Sequence, residues 1–121
     1  MILVDTSVWV DHLNKGDAGL IELLGKGLVL MHPFVIGEIA LGNLRQRSSI
    51  LSHLQDLPLA SVASEEEVLA FIEAARLQGT GIGYIDAHLL AAAKLNGAAL
   101  WTRDTRLRKQ AERLKAALTR K

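Results

Sequence analysis

Three short apolar runs, each followed at once by the start of a helix, set the limits on how this chain can fold. The first is Ile2-Leu3-Val4, which ends in Asp5-Thr6-Ser7. The second is Leu28-Val29-Leu30-Met31, followed by His32-Pro33, and the third is Ala98-Ala99-Leu100-Trp101-Thr102, followed by Arg103-Asp104. Runs this short and this uniformly apolar fit strands buried on both faces, the pattern of a parallel sheet. Parallel neighbours need crossover connections of a dozen residues or more, normally helical. The stretches between the runs are long enough and have the right composition. The expectation is an α/β domain with a mostly parallel central sheet and helices on both faces.

The helices follow from local signals. Val8 to Leu13 suits a short first helix, and Asp17 can cap a second over 18–24, closed by Gly25-Lys26-Gly27. Proline at position 33 opens a third, which is expected to run to about Leu44, and a fourth is expected over about 46–54. Ser64-Glu65-Glu66-Glu67 is a capping box, so its three acids are explained by the helix dipole. Tyr84 to Asn96 is apolar nearly all round and reads as a buried helix, stopped by Gly97. A basic helix opens at Asp104 or Thr105, and Ala116-Ala117-Leu118 is either one more short strand or helix tail. Gln78 to Gly83 is rich in glycine but lacks the Lys-Ser/Thr ending of a phosphate loop.

Four carboxylates stand where solvated acids usually do not. Asp5 and Asp104 each follow a buried strand, where ligands bind in open α/β sheets. Glu38 has Val35 and Leu41 as its helical neighbours, and Asp86 stands in the first turn of the most apolar helix. Each has a plainer explanation: Asp5, Asp86 and Asp104 as helix-end acids, Glu38 as a partner of Arg45. Together they say more, because one edge of a parallel sheet gathers both strand ends and the starts of the following helices. Four carboxylates crowded together repel, and a hard divalent cation relieves that penalty. Such a cup suits metal-assisted phosphodiester hydrolysis.

Composition narrows the rest. The chain has 121 residues, half of them hydrophobic, which fits a single domain over 1–121. It has no cysteine, so disulfides, thiolate metal sites and cysteine nucleophiles are excluded. His12, His32, His53 and His88 show no zinc spacing, and no G-x-S-x-G motif is present. No apolar run approaches the ~20 residues that span a bilayer, so no membrane partner and a cytoplasmic location are expected. Net charge is only +1, yet Arg103, Arg106, Arg108, Lys109, Arg113, Lys115, Arg120 and Lys121 crowd the last stretch. That tail suggests a polyanion, or else a solvated helix face.

In order and spacing, Asp5-Thr6-Ser7, Glu38, Gly83-Tyr84-Ile85-Asp86-Ala87-His88 and Thr102-Arg103-Asp104 resemble the PIN-domain family, and more narrowly the VapC toxins of toxin–antitoxin pairs. The resemblance covers essentially the whole chain. It implies a three-layer α/β/α domain and an endoribonuclease dependent on Mg²⁺ or Mn²⁺. It also implies a homodimer restrained by a small antitoxin protein. Asp5, Glu38, Asp86 and Asp104 match the family's metal-binding, catalytic acids. Thr6, Ser7 and Thr102 match positions where a hydroxyl assists. Arg103, Arg106 and Arg108 are expected to meet RNA phosphates, which give affinity but little sequence information. With few aromatics, target choice is expected to rest on RNA shape. The alternatives are a nuclease acting on DNA and a non-catalytic nucleic-acid-binding module. A phospho-receiver module fits poorly, because Asp5 is followed by Thr6-Ser7 and no lysine stands near Thr102.

Overall fold

The computed structural model of the protein describes residues 1–118; Arg120 and Lys121 of the basic tail lie outside the described residues. Among the described residues the three expected runs form one parallel sheet of β1 (Ile2–Val4), β2 (Val29–Leu30) and β3 (Ala99–Trp101). Their order is β2-β1-β3. Ile2 lies opposite Val29 and Ala99, and Leu3 opposite Leu30 and Leu100. Single parallel bridges extend both edges, Met31 with Leu59 and Leu100 with Ala117. The segment left open as strand or helix tail is therefore a one-residue addition to the sheet.

Among the described residues seven helices surround the strands: α1 (Thr6–Lys15), α2 (Ala18–Gly25), α3 (Pro33–Ala40), α4 (Arg47–Gln55), α5 (Glu65–Ala75), α6 (Tyr84–Leu95) and α7 (Thr105–Arg113). The three-layer α/β/α architecture is the expected one. Leu3, Val4, Leu100, Leu89, Leu90, Leu107 and Val8 are among the side chains of one fully buried cluster. Ala91, Ala92 and Ala93 let α6 lie close within it, as the all-round apolar pattern of that helix requires. The Ser64 capping box forms in full: Ser64 Oγ accepts from Glu67 N–H, and Glu67 accepts from Ser64 N–H.

Two boundaries differ from expectation. The first helix starts at Thr6, directly after Asp5, and not at Val8. The third stops at Ala40 and does not reach Leu44. Gly42 and Asn43 follow, and the Arg47 guanidinium turns back to donate to the carbonyls of Gly42, at 3.1 Å, and Ala40. An arginine from the next helix thus satisfies carbonyls that a longer helix would have bonded internally.

Candidate active site at the carboxyl edge of the sheet

The parallel sheet delivers its acids as geometry demands. β1 ends in Asp5 and β3 leads to Asp104, while α3 and α6 carry Glu38 and Asp86. Asp86 reports on their proximity. Burial pushes its carboxyl above the usual carboxylate range, opposed by the Gly83 N–H, and the charges of Asp5, Asp104 and Glu38 push the same way as burial. All four acids therefore share one electrostatic neighbourhood.

Each carboxylate is held by one oxygen. Asp5 Oδ2 accepts from Ser7 Oγ at 2.8 Å and from Thr102 Oγ1 at 2.7 Å. Glu38 Oε1 accepts from Thr6 Oγ1 at 2.7 Å. Asp86 Oδ2 accepts from Gly83 N–H at 3.0 Å, and Asp104 Oδ1 from Leu107 N–H at 3.1 Å. The second oxygen of each acid has no hydrogen-bond donor among the described residues. The plain explanations thus account for part of two acids and fail for the others. Asp104 and Asp86 do satisfy helix-start N–H groups with one oxygen. Asp5 occupies the cap position of α1 but makes no side-chain cap bond. Glu38 meets Thr6 rather than the expected Arg45.

Asp5 is the most enclosed of the set, at 6 % exposure, and Thr102 beside it is equally buried. A buried carboxylate is costly unless donors meet it, and here two hydroxyls do. Thr102 Oγ1 also accepts from Asp104 N–H at 3.0 Å, so one hydroxyl joins the two strand-end acids. The three hydroxyls expected from the sequence are all in contact with the acids.

The donor set is all oxygen, which fits Mg²⁺ or Mn²⁺ and not a soft metal. Among the described residues no three His, Asp or Glu side chains already enclose a metal position. The acids line an edge rather than close a cage. Mg²⁺ normally takes only one or two carboxylates and keeps several waters, so an open edge with four free carboxylate oxygens suits it.

The arginines divide. Arg106 and Arg108 are exposed on α7, and the stem of Arg106 lies over Gly81, which a Cβ there would meet at 3.2 Å. Arg103 is committed elsewhere. Its Nη1 donates to Asp11 at 2.5 Å and its Nη2 to Asp17. Asp17 caps α2 as expected, but its pairing and that of Asp11 with Arg103 were not expected. The available signal was that Asp11 stands four residues beyond Ser7, on the same face of α1.

Beneath the edge, rings line up. Tyr84 and Phe34 meet His88 edge-on at 4.7 and 4.8 Å, and His32 meets Phe34 at 5.0 Å. His32 is fully buried and accepts from Phe34 N–H at its Nδ1. Burial, and then the neighbouring His88, hold its imidazole down to about 4, so it is neutral in the fold. Trp9 is part of the buried core. Leu13 is half-buried and lines a groove with Val10, Glu38, Ile39 and Leu44.

Residues 2–113 match the PIN domain family. The chain is 50% identical over 109 residues to the protein called "Ribonuclease VapC32" of Mycobacterium tuberculosis, a match spanning 89% of this chain and 88% of that protein. Among solved structures, FitAcB from Neisseria gonorrhoeae superposes with a TM-score of 0.63 at 22% identity, covering 93% of this chain and 94% of that one. PAE2754 from Pyrobaculum aerophilum does so with a TM-score of 0.58 at 19% identity, covering 93% and 85%. These two structures share the fold. Four acids on one sheet edge, a match over nearly the whole sequence and half-identity to a VapC protein lead to one assignment: the chain belongs to the PIN-domain family, on its VapC branch.

Proposed function

We propose that the protein is an endoribonuclease dependent on Mg²⁺ or Mn²⁺, acting in the cytoplasm as the toxin of a toxin–antitoxin pair. The relation to a protein named a ribonuclease supports the activity. The observation that carries the chemistry is the shared edge of Asp5, Glu38, Asp86 and Asp104, each with one oxygen fixed and one free. The free oxygens of Asp5, Asp86 and Asp104 would hold the cation, with Glu38 taking a second ion or the attacking water. When bound, the cation supplies an activated water and offsets charge on the phosphate and leaving oxygen.

The chain's own groups do the positioning. Ser7 and Thr102 orient Asp5, and Thr6 orients Glu38. Arg106 and Arg108, exposed on the helix that Asp104 caps, meet backbone phosphates. One domain over 1–121 carries the activity, in a homodimer. The cognate antitoxin holds it inactive, and the groove beside Glu38 gives an antitoxin segment access to that acid. No helix of the described residues is long and apolar enough to cross a membrane.

The test is cleavage of total cellular RNA by purified protein with Mg²⁺ or Mn²⁺, alongside EDTA and Asp5→Asn controls and a DNA substrate. Discrete RNA fragments that vanish in both controls support the assignment. Equal cutting by wild type and Asp5→Asn refutes it, and cutting confined to DNA moves the substrate class.

A further inference from the structure

Arg103 lies between two residues of the site, Thr102 and Asp104, yet its side chain is engaged elsewhere. The guanidinium bridges Asp11 of α1 and Asp17, the residue that caps α2. Its carbon stands 5.8 Å from the centre of the Trp101 ring, within cation–π range. Both acids are themselves anchored. Asp17 Oδ1 accepts from Leu20 N–H at 2.9 Å, and Asp17 N–H donates to His12 Nδ1 at 3.0 Å. Asp11 sits within α1, a helix packed on α3.

The main chain of the same residue makes a second connection. Arg103 N–H donates to Ser7 Oγ at 3.0 Å, and Ser7 Oγ donates to Asp5 Oδ2. Ser7 and Asp11 are four residues apart and share one face of α1. Arg103 is therefore fastened to that face at two points, its amide to Ser7 and its guanidinium to Asp11. A turn held at one point can pivot, whereas a turn held at two points on a rigid helix cannot. The residues on either side are Thr102, which donates to Asp5, and Asp104 itself.

The charges oppose the role expected from the sequence. One guanidinium set between two carboxylates leaves the cluster net negative, so it offers no attraction to a phosphate. The two ion pairs are partly exposed, and such pairs add little to stability. Their weight is geometric rather than energetic. By contrast, Arg106 and Arg108 have no acidic partner among the described residues.

We propose that Arg103 is a positioning residue that clamps the turn carrying Thr102 and Asp104 onto α1, sets the spacing of Asp5 and Asp104 for the cation, and makes no contact with RNA phosphate. This rests on the ribonuclease assignment above. Residues that orient metal ligands in this way typically change metal affinity by 10- to 100-fold when lost.

Two measurements separate this role from its rivals, and neither needs turnover. The first is Mn²⁺ binding by calorimetry, with the metal alone as probe, for wild type, Arg103→Ala, Arg103→Lys, Asp11→Asn and Arg106→Ala. The second is the salt dependence of binding to a fluorescein-labelled single-stranded RNA, with Asp5→Asn in every protein to prevent cutting. Arg103→Ala is expected to weaken Mn²⁺ binding on the order of tenfold and to leave the salt slope unchanged. Arg103→Lys should recover part of the loss. Arg106→Ala should do the reverse, keeping Mn²⁺ affinity and lowering the slope by about 1. Asp11→Asn, which keeps the arginine but weakens one anchor, should weaken Mn²⁺ binding without lowering the slope, and it serves if Arg103→Ala fails to fold. A lower slope with unchanged Mn²⁺ affinity in Arg103→Ala would make Arg103 a phosphate contact and overturn the proposal. So would no change in either quantity. Absence of Mn²⁺ binding in the wild type removes the ribonuclease assignment first, and the clamp's purpose with it.

Discussion

Replacing Thr102 with valine tests whether one hydroxyl holds the two strand-end acids together. Valine keeps the shape and β-branching of threonine and removes only the hydroxyl. In the native protein that hydroxyl donates to Asp5 Oδ2 at 2.7 Å and accepts from Asp104 N–H at 3.0 Å. Asp104 is exposed, so water replaces the acceptor lost to its amide. Asp5 is buried, so its carboxylate loses a donor that water replaces poorly. A hydrogen bond to a charged group is worth roughly 1.5–3 kcal/mol. For a chain this long, 1 kcal/mol shifts Tm by about 4 °C, so Thr102→Val should melt roughly 6–12 °C below wild type. Thr102→Ser restores the donor and should recover most of the loss. The assay is thermal unfolding by circular dichroism, first in EDTA and then with Mn²⁺. In EDTA the difference measures the hydrogen bond alone. With Mn²⁺ the stabilisation by the ion should be smaller in Thr102→Val than in wild type, because Asp5 is less well oriented. Melting within a degree or two of wild type in EDTA would show that Thr102 does not hold Asp5 as described.

Two further expectations concern protons. Burial and the three neighbouring acids raise the folded-state value of Asp86, so its ionisation opposes folding; this penalty is absent below the ordinary carboxylate value and grows as pH rises through the raised one. Asp86→Asn, which can still accept from Gly83 N–H, should therefore raise Tm at pH 7 in EDTA, and the gain should vanish as the pH falls toward ~4; an unchanged Tm at pH 7 would mean the acids do not crowd. His32 has the opposite sign: a folded value of about 4 against the usual ~6.5 gives stability that is complete above 6.5 and lost as pH falls from there to about 4, on the order of 3 kcal/mol in all. His32→Asn keeps a side chain able to cap α3, so denaturant midpoints between pH 7 and 4.5 should fall less steeply for it than for wild type.

The sequence carried the scaffold clearly because its strands are buried on both faces. Ile2–Val4, Val29–Leu30 and Ala99–Trp101 have nowhere to go but a parallel sheet, although their order within it came only from the structure. Parallel pairing in turn brought Asp5 and Asp104 to one edge. What stayed hidden were contacts between residues distant in the chain that pattern does not encode. The end of α3 depends on Arg47 reaching back to Ala40, and a helical apolar pattern gives no sign of it. The partners of Arg103 are 92 and 86 residues away, so a basic residue beside an acidic site read naturally as a phosphate contact. The hydroxyls of Thr6, Ser7 and Thr102 were legible as candidates through family resemblance alone, and their pairing with particular acids required coordinates.

The central place of β1 has a consequence for the protein's birth. Asp5 and Thr102 are 97 residues apart, so a ribosome adding about 5–20 residues per second makes the carboxylate roughly 5–20 s before its partner exists. During that interval the side of β1 destined for β3 has no neighbour, and the acidic edge lacks Asp104. A nascent chain that stops short of Ala99 lacks β3 and Asp104, and so lacks part of the acidic edge on which the proposed activity rests. Under the function proposed above, the complete edge forms late in translation, which gives an antitoxin time to meet the chain first.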